Sequence, residues 1–97
     1  KVIFNEGSQD NDLYFVIEGE VVIKKDGKVI YAVNPGEYFG EYALLHKTPR
    51  TVSAHICSDW ARLIKINDAK VRKMLEEDPK IAQIFMFNMA RRLQKLL

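Results

Sequence analysis

Apolar and polar positions fall into short runs broken by turn residues, and the rhythm changes once, near Asn67. Lys1 to Phe4 is a brief strand-like run that ends in the turn formers Asn5-Glu6-Gly7-Ser8. After the polar loop Asp10-Asn11-Asp12, Leu13-Tyr14-Phe15-Val16-Ile17 is apolar without alternation, which predicts a strand covered on both faces. Gly19 marks a bend or bulge before Val21-Val22-Ile23. Asp26-Gly27 then predicts a hairpin, because a tight two-residue turn needs positive φ at both central positions. Beyond it Val29, Tyr31 and Val33 alternate with Ile30 and Ala32, and Asn34-Pro35-Gly36-Glu37 reads as a turn. Val52 to Cys57 and Trp60 to Ile66 are two further strands, separated by Ser58-Asp59.

From Asn67 the period becomes helical. Asn67 is placed to cap a helix carrying Val71, Met74 and Leu75, and Asp78-Pro79 opens a second one that runs towards Leu97. In that last helix Ile81, Ala82, Phe85, Met86, Met89, Ala90, Leu93, Leu96 and Leu97 cover about half the circumference. Ile84 and Phe87 lie on the otherwise polar side. The helix either packs on the strands alone or also offers part of this surface to another copy or another domain. Many short strands at close spacing followed by helices predict a mainly β fold, a sandwich or small barrel with helices at its C-terminal end.

Composition narrows the function. The 97 residues suit one domain with one modest core, and 47% hydrophobic residues make burial feasible. A net charge of +2, with both signs interspersed, gives no case for nucleic acid or an anionic membrane as partner. The single cysteine, Cys57, has no intrachain partner, which points to a reducing compartment, the cytoplasm. Apolar runs are far shorter than the roughly 20 residues of a membrane helix. A start inside a strand-like run, without an initiating methionine, reads as part of a longer protein. His46 and His55 do not supply the converging ligand set of a metal site, and no nucleophile and base pair stands out, so neither metal nor catalysis is expected.

The chemistry gathers at Phe39-Gly40-Glu41-Tyr42-Ala43-Leu44-Leu45 and Pro49-Arg50-Thr51-Val52-Ser53. A turn glycine feeds a short helix, with a carboxylate at its start and a guanidinium just past its end. Backbone N–H groups around Gly40 to Ala43 would face an anion, and Arg50 would supply planar, permanently charged donors that match a phosphate. Glu41 repels a phosphate, so it fits only if it accepts from a neutral group on the same ligand, such as a sugar hydroxyl. A nucleotide whose phosphate and ribose hydroxyl lie close together meets both demands.

These two segments resemble the phosphate-binding cassette of the cyclic nucleotide-binding domain family, which includes catabolite activator proteins, kinase regulatory subunits and cyclic nucleotide-gated channels. Gly7, Gly19, Gly36 and the stretch Leu13 to Glu20 follow the same pattern, so the resemblance covers nearly the whole chain. It implies a cupin-like double-stranded β-helix, or jelly roll, over residues 1–97, with a short cassette helix. It implies that Arg50 pairs with the exocyclic oxygens of a 3′,5′-cyclic phosphate, that Glu41 accepts from the ribose 2′-hydroxyl, and that Phe39, Gly40, Tyr42, Ala43 and Val52 belong to the binding site. Thr51 could accept from a guanine amino group, which makes cAMP the expected ligand with cGMP tolerated. Val33 or Ile30 would wall the purine, closed by a side chain of the final helix or of a segment beyond Leu97. Tyr42, where the family more usually has an aliphatic residue, either packs in the core or stacks on the ligand, and packing is expected.

Three functions follow for comparison. The first is a cyclic nucleotide sensor that relays binding through its terminal helices, Asn67 to Glu76 and Pro79 to Leu97, to a fused or partner effector, with a homodimer through the last helix. The second is a non-sensing interaction module, which would not need both Glu41 and Arg50. The third is a cupin-type metal enzyme, which the ligand count disfavours.

Overall fold

The computed structural model describes residues 1–96 and, within them, all side chains but those of Met89, Leu93, Lys95 and Leu96. Strands β1 (Val2–Phe4), β2 (Leu13–Glu18), β3 (Val21–Lys25), β4 (Lys28–Val33) and β5 (Tyr38–Phe39) lead into helix α1 (Glu41–His46). Strands β6 (Ser53–Ile56) and β7 (Arg62–Ile66) and helices α2 (Asp68–Glu77) and α3 (Lys80–Leu96) complete the chain. The strands form two sheets, in the orders β1-β6-β3-β4 and β5-β2-β7, and every pairing is antiparallel. The result is the mainly β, jelly-roll-like architecture expected, with a cassette helix and terminal helices.

Local signals act where they were read. At the β3–β4 turn Asp26 and Gly27 have φ of 51° and 79°, the left-handed pair that a tight hairpin requires. The Glu37 amide donates to the Asn34 carbonyl at 3.0 Å, closing the turn before β5. Asn67 caps α2 by accepting from the amides of Ala69 at 2.8 Å and Lys70 at 3.4 Å.

Two apolar clusters hold the molecule. Phe4, Tyr14, Val16, Val21, Ile23, Val33, Phe39 and Ala54 fill the space between the sheets, with the Tyr14 and Phe39 rings stacked 5.2 Å apart. Leu13 points to the other side of β2, where it meets Leu44 of α1, Val71 of α2 and Phe85 of α3. This is why the N-terminal part of β2 carries an unbroken apolar run: its two faces serve two clusters.

The alternation predicted for β4 does not hold. The pairing shifts between Ile23 and Lys24, so Tyr31 faces Ile23 while Val29 faces Lys24 and Ile30 is left as the bulged residue. Val29 is therefore exposed, whereas Tyr31 and Ile30 turn inward. On α3 the covered face is narrower than the predicted stripe: Phe85 is buried and Ile81 packs beside it, while Ala82, Met86 and Ala90 are exposed. The side chains of Met89, Leu93 and Leu96, and residue Leu97, lie outside the described part.

Leu44 has no exposed surface and touches the cluster that seats all three helices against β2. Leu44→Ala is expected to cost about 2–5 kcal/mol in urea unfolding, the range for emptying a well-packed site. A loss well below that range would mean that the helices are not locked to the sheet.

Candidate functional site

Gly40 links β5 to α1 with φ of 92°, a conformation that a side chain would strain. A Cβ there would also lie 2.8 Å from Arg50 Nη1 and 3.0 Å from the Asp12 carbonyl oxygen. Both atoms are pinned, so glycine is what lets the cassette close around the arginine. Within α1, Glu41, Ala43 and Leu44 turn inward. Tyr42 does not pack in the core as expected. In so short a helix, with its neighbours buried, position 42 points out, and Tyr42 is half-exposed with its ring 4.2 Å from that of His46. The far end of α1 is satisfied by Lys47 and Thr48, whose amides donate to the Ala43 carbonyl, and by Arg72 of α2, whose Nη2 donates to the Leu44 carbonyl at 2.6 Å.

Arg50 is fastened by backbone bonds to the turn after β1: its amide donates to Ser8 and its carbonyl accepts from Gly7, both at 2.8 Å. Arg50 is buried, only 4% exposed, with its guanidinium over the Phe4 ring at 4.0 Å. Nη1 donates to the Gly40 carbonyl at 2.8 Å, and Nη2 to the Asp12 carbonyl at 2.6 Å and to the Asp10 carboxylate. Burial opposes the Asp10 charge, but the hydrogen bond and charge of Arg50, helped by Ser8, outweigh it and hold that carboxyl below its usual value. Arg50 Nε, also buried, has no hydrogen-bond partner among the described residues. A donor so placed is costly unless something meets it.

Glu41 is 5% exposed and pairs with the guanidinium of Arg92 from α3. Burial raises its carboxyl above the ordinary range, while Arg92 first and then Arg50 hold the rise in check. Arg92 sits near two aromatic faces, with Cζ 5.1 Å from the Tyr31 ring and 5.5 Å from the Tyr38 ring. Burial and the Glu41 charge push the Tyr38 hydroxyl up to about 12.

Arg50 and Glu41 share a small cleft, open to solvent, lined also by Phe4, Ile23, Tyr31, Gly40, Tyr42, Ala43, Thr51 and Val52. Among the residues expected at the site, Gly40, Glu41, Tyr42, Ala43, Arg50, Thr51 and Val52 are brought together there. Phe39 and Val33 are not: both are core residues between the sheets, at 0% and 1% exposure. Tyr31 takes the place on β4 foreseen for Val33 or Ile30: it shares the inward face with Val33 but lies two residues nearer the cleft. Sequence reasoning also missed Phe4 and Ile23 beneath the cleft, Asp10 and Asp12 around Arg50, and Arg92. One signal for Arg92 was available: it follows Phe85 by two helical turns, which puts a cation on the apolar face.

Residues 1–78 match the family model described as cyclic nucleotide-binding domain. The chain belongs to that family. Among its relatives, this cyclic nucleotide-binding domain is 32% identical over 90 residues to the Pycsar effector protein XpPycTIR of Xanthomonas perforans, covering 92% of this chain and 29% of that protein. It superposes on the catabolite activator protein of Thermus thermophilus with a TM-score of 0.83 and 29% identity, covering 98% of this chain and 46% of the other. For cAMP-bound PfPKA-R (141-441) the TM-score is 0.79 at 27% identity, covering 99% and 34%. The domain thus spans less than half the length of these proteins. The family is one of regulatory ligand binding. Among the described residues no group of His, Cys, Asp or Glu could hold a metal, and no helix is long and apolar enough to cross a membrane.

Because the native carboxyl of Glu41 titrates above its unfolded value of about 4.3, the folded state takes up the proton more readily. Its contribution to stability is therefore fully present below that pH and is lost as pH rises through the native value. Urea midpoints from pH 3.5 to 8 should fall less steeply over that window in Glu41→Gln than in the parent chain. Equal slopes would show that Glu41 titrates like an exposed carboxylate.

Proposed function

We propose that the cleft binds a 3′,5′-cyclic nucleotide, cAMP first and cGMP also, with the phosphate at Arg50 and the ribose 2′-hydroxyl at Glu41. The observation that carries this is Arg50 Nε, a buried cationic donor without a protein partner in the wall of a cleft that also holds a buried carboxylate. Three of the four Nη hydrogens of Arg50 are committed to fixed acceptors, so the fork is held in place before any ligand arrives. Membership of the family and the likeness to a cAMP-bound structure support the choice of ligand. Gly40 to Ala43 would complete the phosphate cradle, and Thr51, exposed on the cleft rim, is free to meet a guanine amino group.

In this reading the domain is a cytoplasmic, non-catalytic sensor. Ligand at the cassette is felt by α2 through the bond from Arg72 to Leu44, and by α3 through the cluster around Phe85, and the helices pass the change to a fused or partner effector. Ile84, Met86 and Phe87 of α3 are 54%, 68% and 63% exposed, a surface suited to a second copy of the chain.

Calorimetric titration tests the site. Arg50→Ala should weaken cAMP binding by roughly 100-fold or more, since truncating one member of a desolvated charge pair costs about 2–5 kcal/mol. Thr51→Ala should lower the cGMP to cAMP affinity ratio a few-fold, the worth of one neutral hydrogen bond. An affinity for cAMP that survives Arg50→Ala would sink the assignment, and an unchanged ratio would remove Thr51 from it. For the dimer, sedimentation should show association that Phe87→Glu abolishes; a monomer at all concentrations would refute it.

A further inference from the structure

Glu41, Tyr42 and Ala43 of the cassette helix all border the cleft, but only Tyr42 is exposed, at 48%. The core has no use for its ring. The site reading gives the phosphate to Arg50 and the ribose to Glu41, and leaves the flat face of the base without a partner. We infer that Tyr42 is the platform on which that base stacks. The inference rests on the site reading above and adds a residue whose hold on the ligand depends on the base alone.

The cleft offers a base few other faces. Three aromatic rings line it. Phe4 is 4% exposed and lies under the Arg50 guanidinium, with Cζ 4.0 Å from the ring centroid. Tyr31 is partly buried against the core between the sheets, with Arg92 Cζ 5.1 Å from its ring. Ile23 and Ala43, at 1% and 3% exposure, have almost no surface to give, and Val52 packs on the same core as Tyr31. Of the three rings Tyr42 alone stands half in solvent, with area left to bury.

The helix prepares that ring. Tyr42 and His46 are four residues apart, so their side chains share one face of α1, and their rings lie 4.2 Å apart at 36°. His46 backs one side of the tyrosine and restricts its rotation. A side chain with two torsions, already restricted, loses little freedom when a base settles on it. Stacking is also tolerant, because every base has a π face. Tyr42 therefore strengthens the hold on adenine and guanine together, while Thr51 at the rim is left to tell them apart. The aliphatic residue more usual at this position would fill space but present no flat face.

The test is a titration of the parent chain, Tyr42→Phe, Tyr42→Leu and Tyr42→Ala with cAMP, with cGMP and with methyl riboside 3′,5′-cyclic phosphate, which keeps the sugar and the phosphate and lacks the base. Tyr42→Ala should weaken cAMP and cGMP alike, by about fivefold to 150-fold, the worth of one base on an aromatic ring. Tyr42→Phe keeps the ring and should stay within about twofold of the parent, with Tyr42→Leu falling between. The base-free analogue should bind all four chains equally. A merely structural role would not give that result, since a disturbed cassette would lose the sugar and phosphate as well. Unchanged cAMP affinity in Tyr42→Ala, a loss shared by the base-free analogue, or a loss in Tyr42→Phe as large as in Tyr42→Ala overturns the platform and leaves the site standing. If the folded parent chain binds neither cAMP nor cGMP, the site reading falls and takes the platform with it.

Discussion

A buried guanidinium organises this molecule. Removing a cation from water costs several kcal/mol unless its donors are met, and Arg50 meets that demand by drawing in the Asp12 carbonyl, the Gly40 carbonyl and the Asp10 carboxylate. Those acceptors lie in the loop before β2 and at the junction of β5 with α1. Phe4 of β1 lies under the charge and, through Tyr14 and Phe39, ties it to the core between the sheets. Satisfying one cation thus fixes several loops and the start of the cassette helix at once. What is left over is Nε and one hydrogen of Nη1, and Nε has no acceptor among the described residues.

The opposite end of the cleft is built on other terms. Glu41 is as buried as Arg50, but its partner comes from α3, a helix seated by a small cluster of four buried residues. Local stability follows the apolar contacts an element makes, and the sheet side of the cleft is held by the larger core. The cassette is the shared element, because α1 contributes Glu41 to one cluster of charges and Leu44 to the packing of the helices.

What could be read from the sequence was local in origin. Asp26-Gly27 specifies its hairpin because only residues tolerant of positive φ fit there, and Asn67 caps α2 because its oxygen reaches the next amides. Phe39-Gly40-Glu41 and Pro49-Arg50-Thr51 named the two charged ends of the cleft, since a carboxylate and a guanidinium flanking a short helix limit the ligands that suit both. The tertiary structure decided the rest. A bulge in the β3–β4 ladder at Ile30 turned Val29 out to solvent, Tyr31 rather than Val33 reached the cleft, and packing between the sheets placed Phe39 and Val33 in the core. Asp10 meets Arg50 across 40 residues, and Arg92 meets Glu41 across 51. Such pairs form only when the sheets and helices have closed, because the desolvation that makes a distant partner necessary does not exist in the open chain.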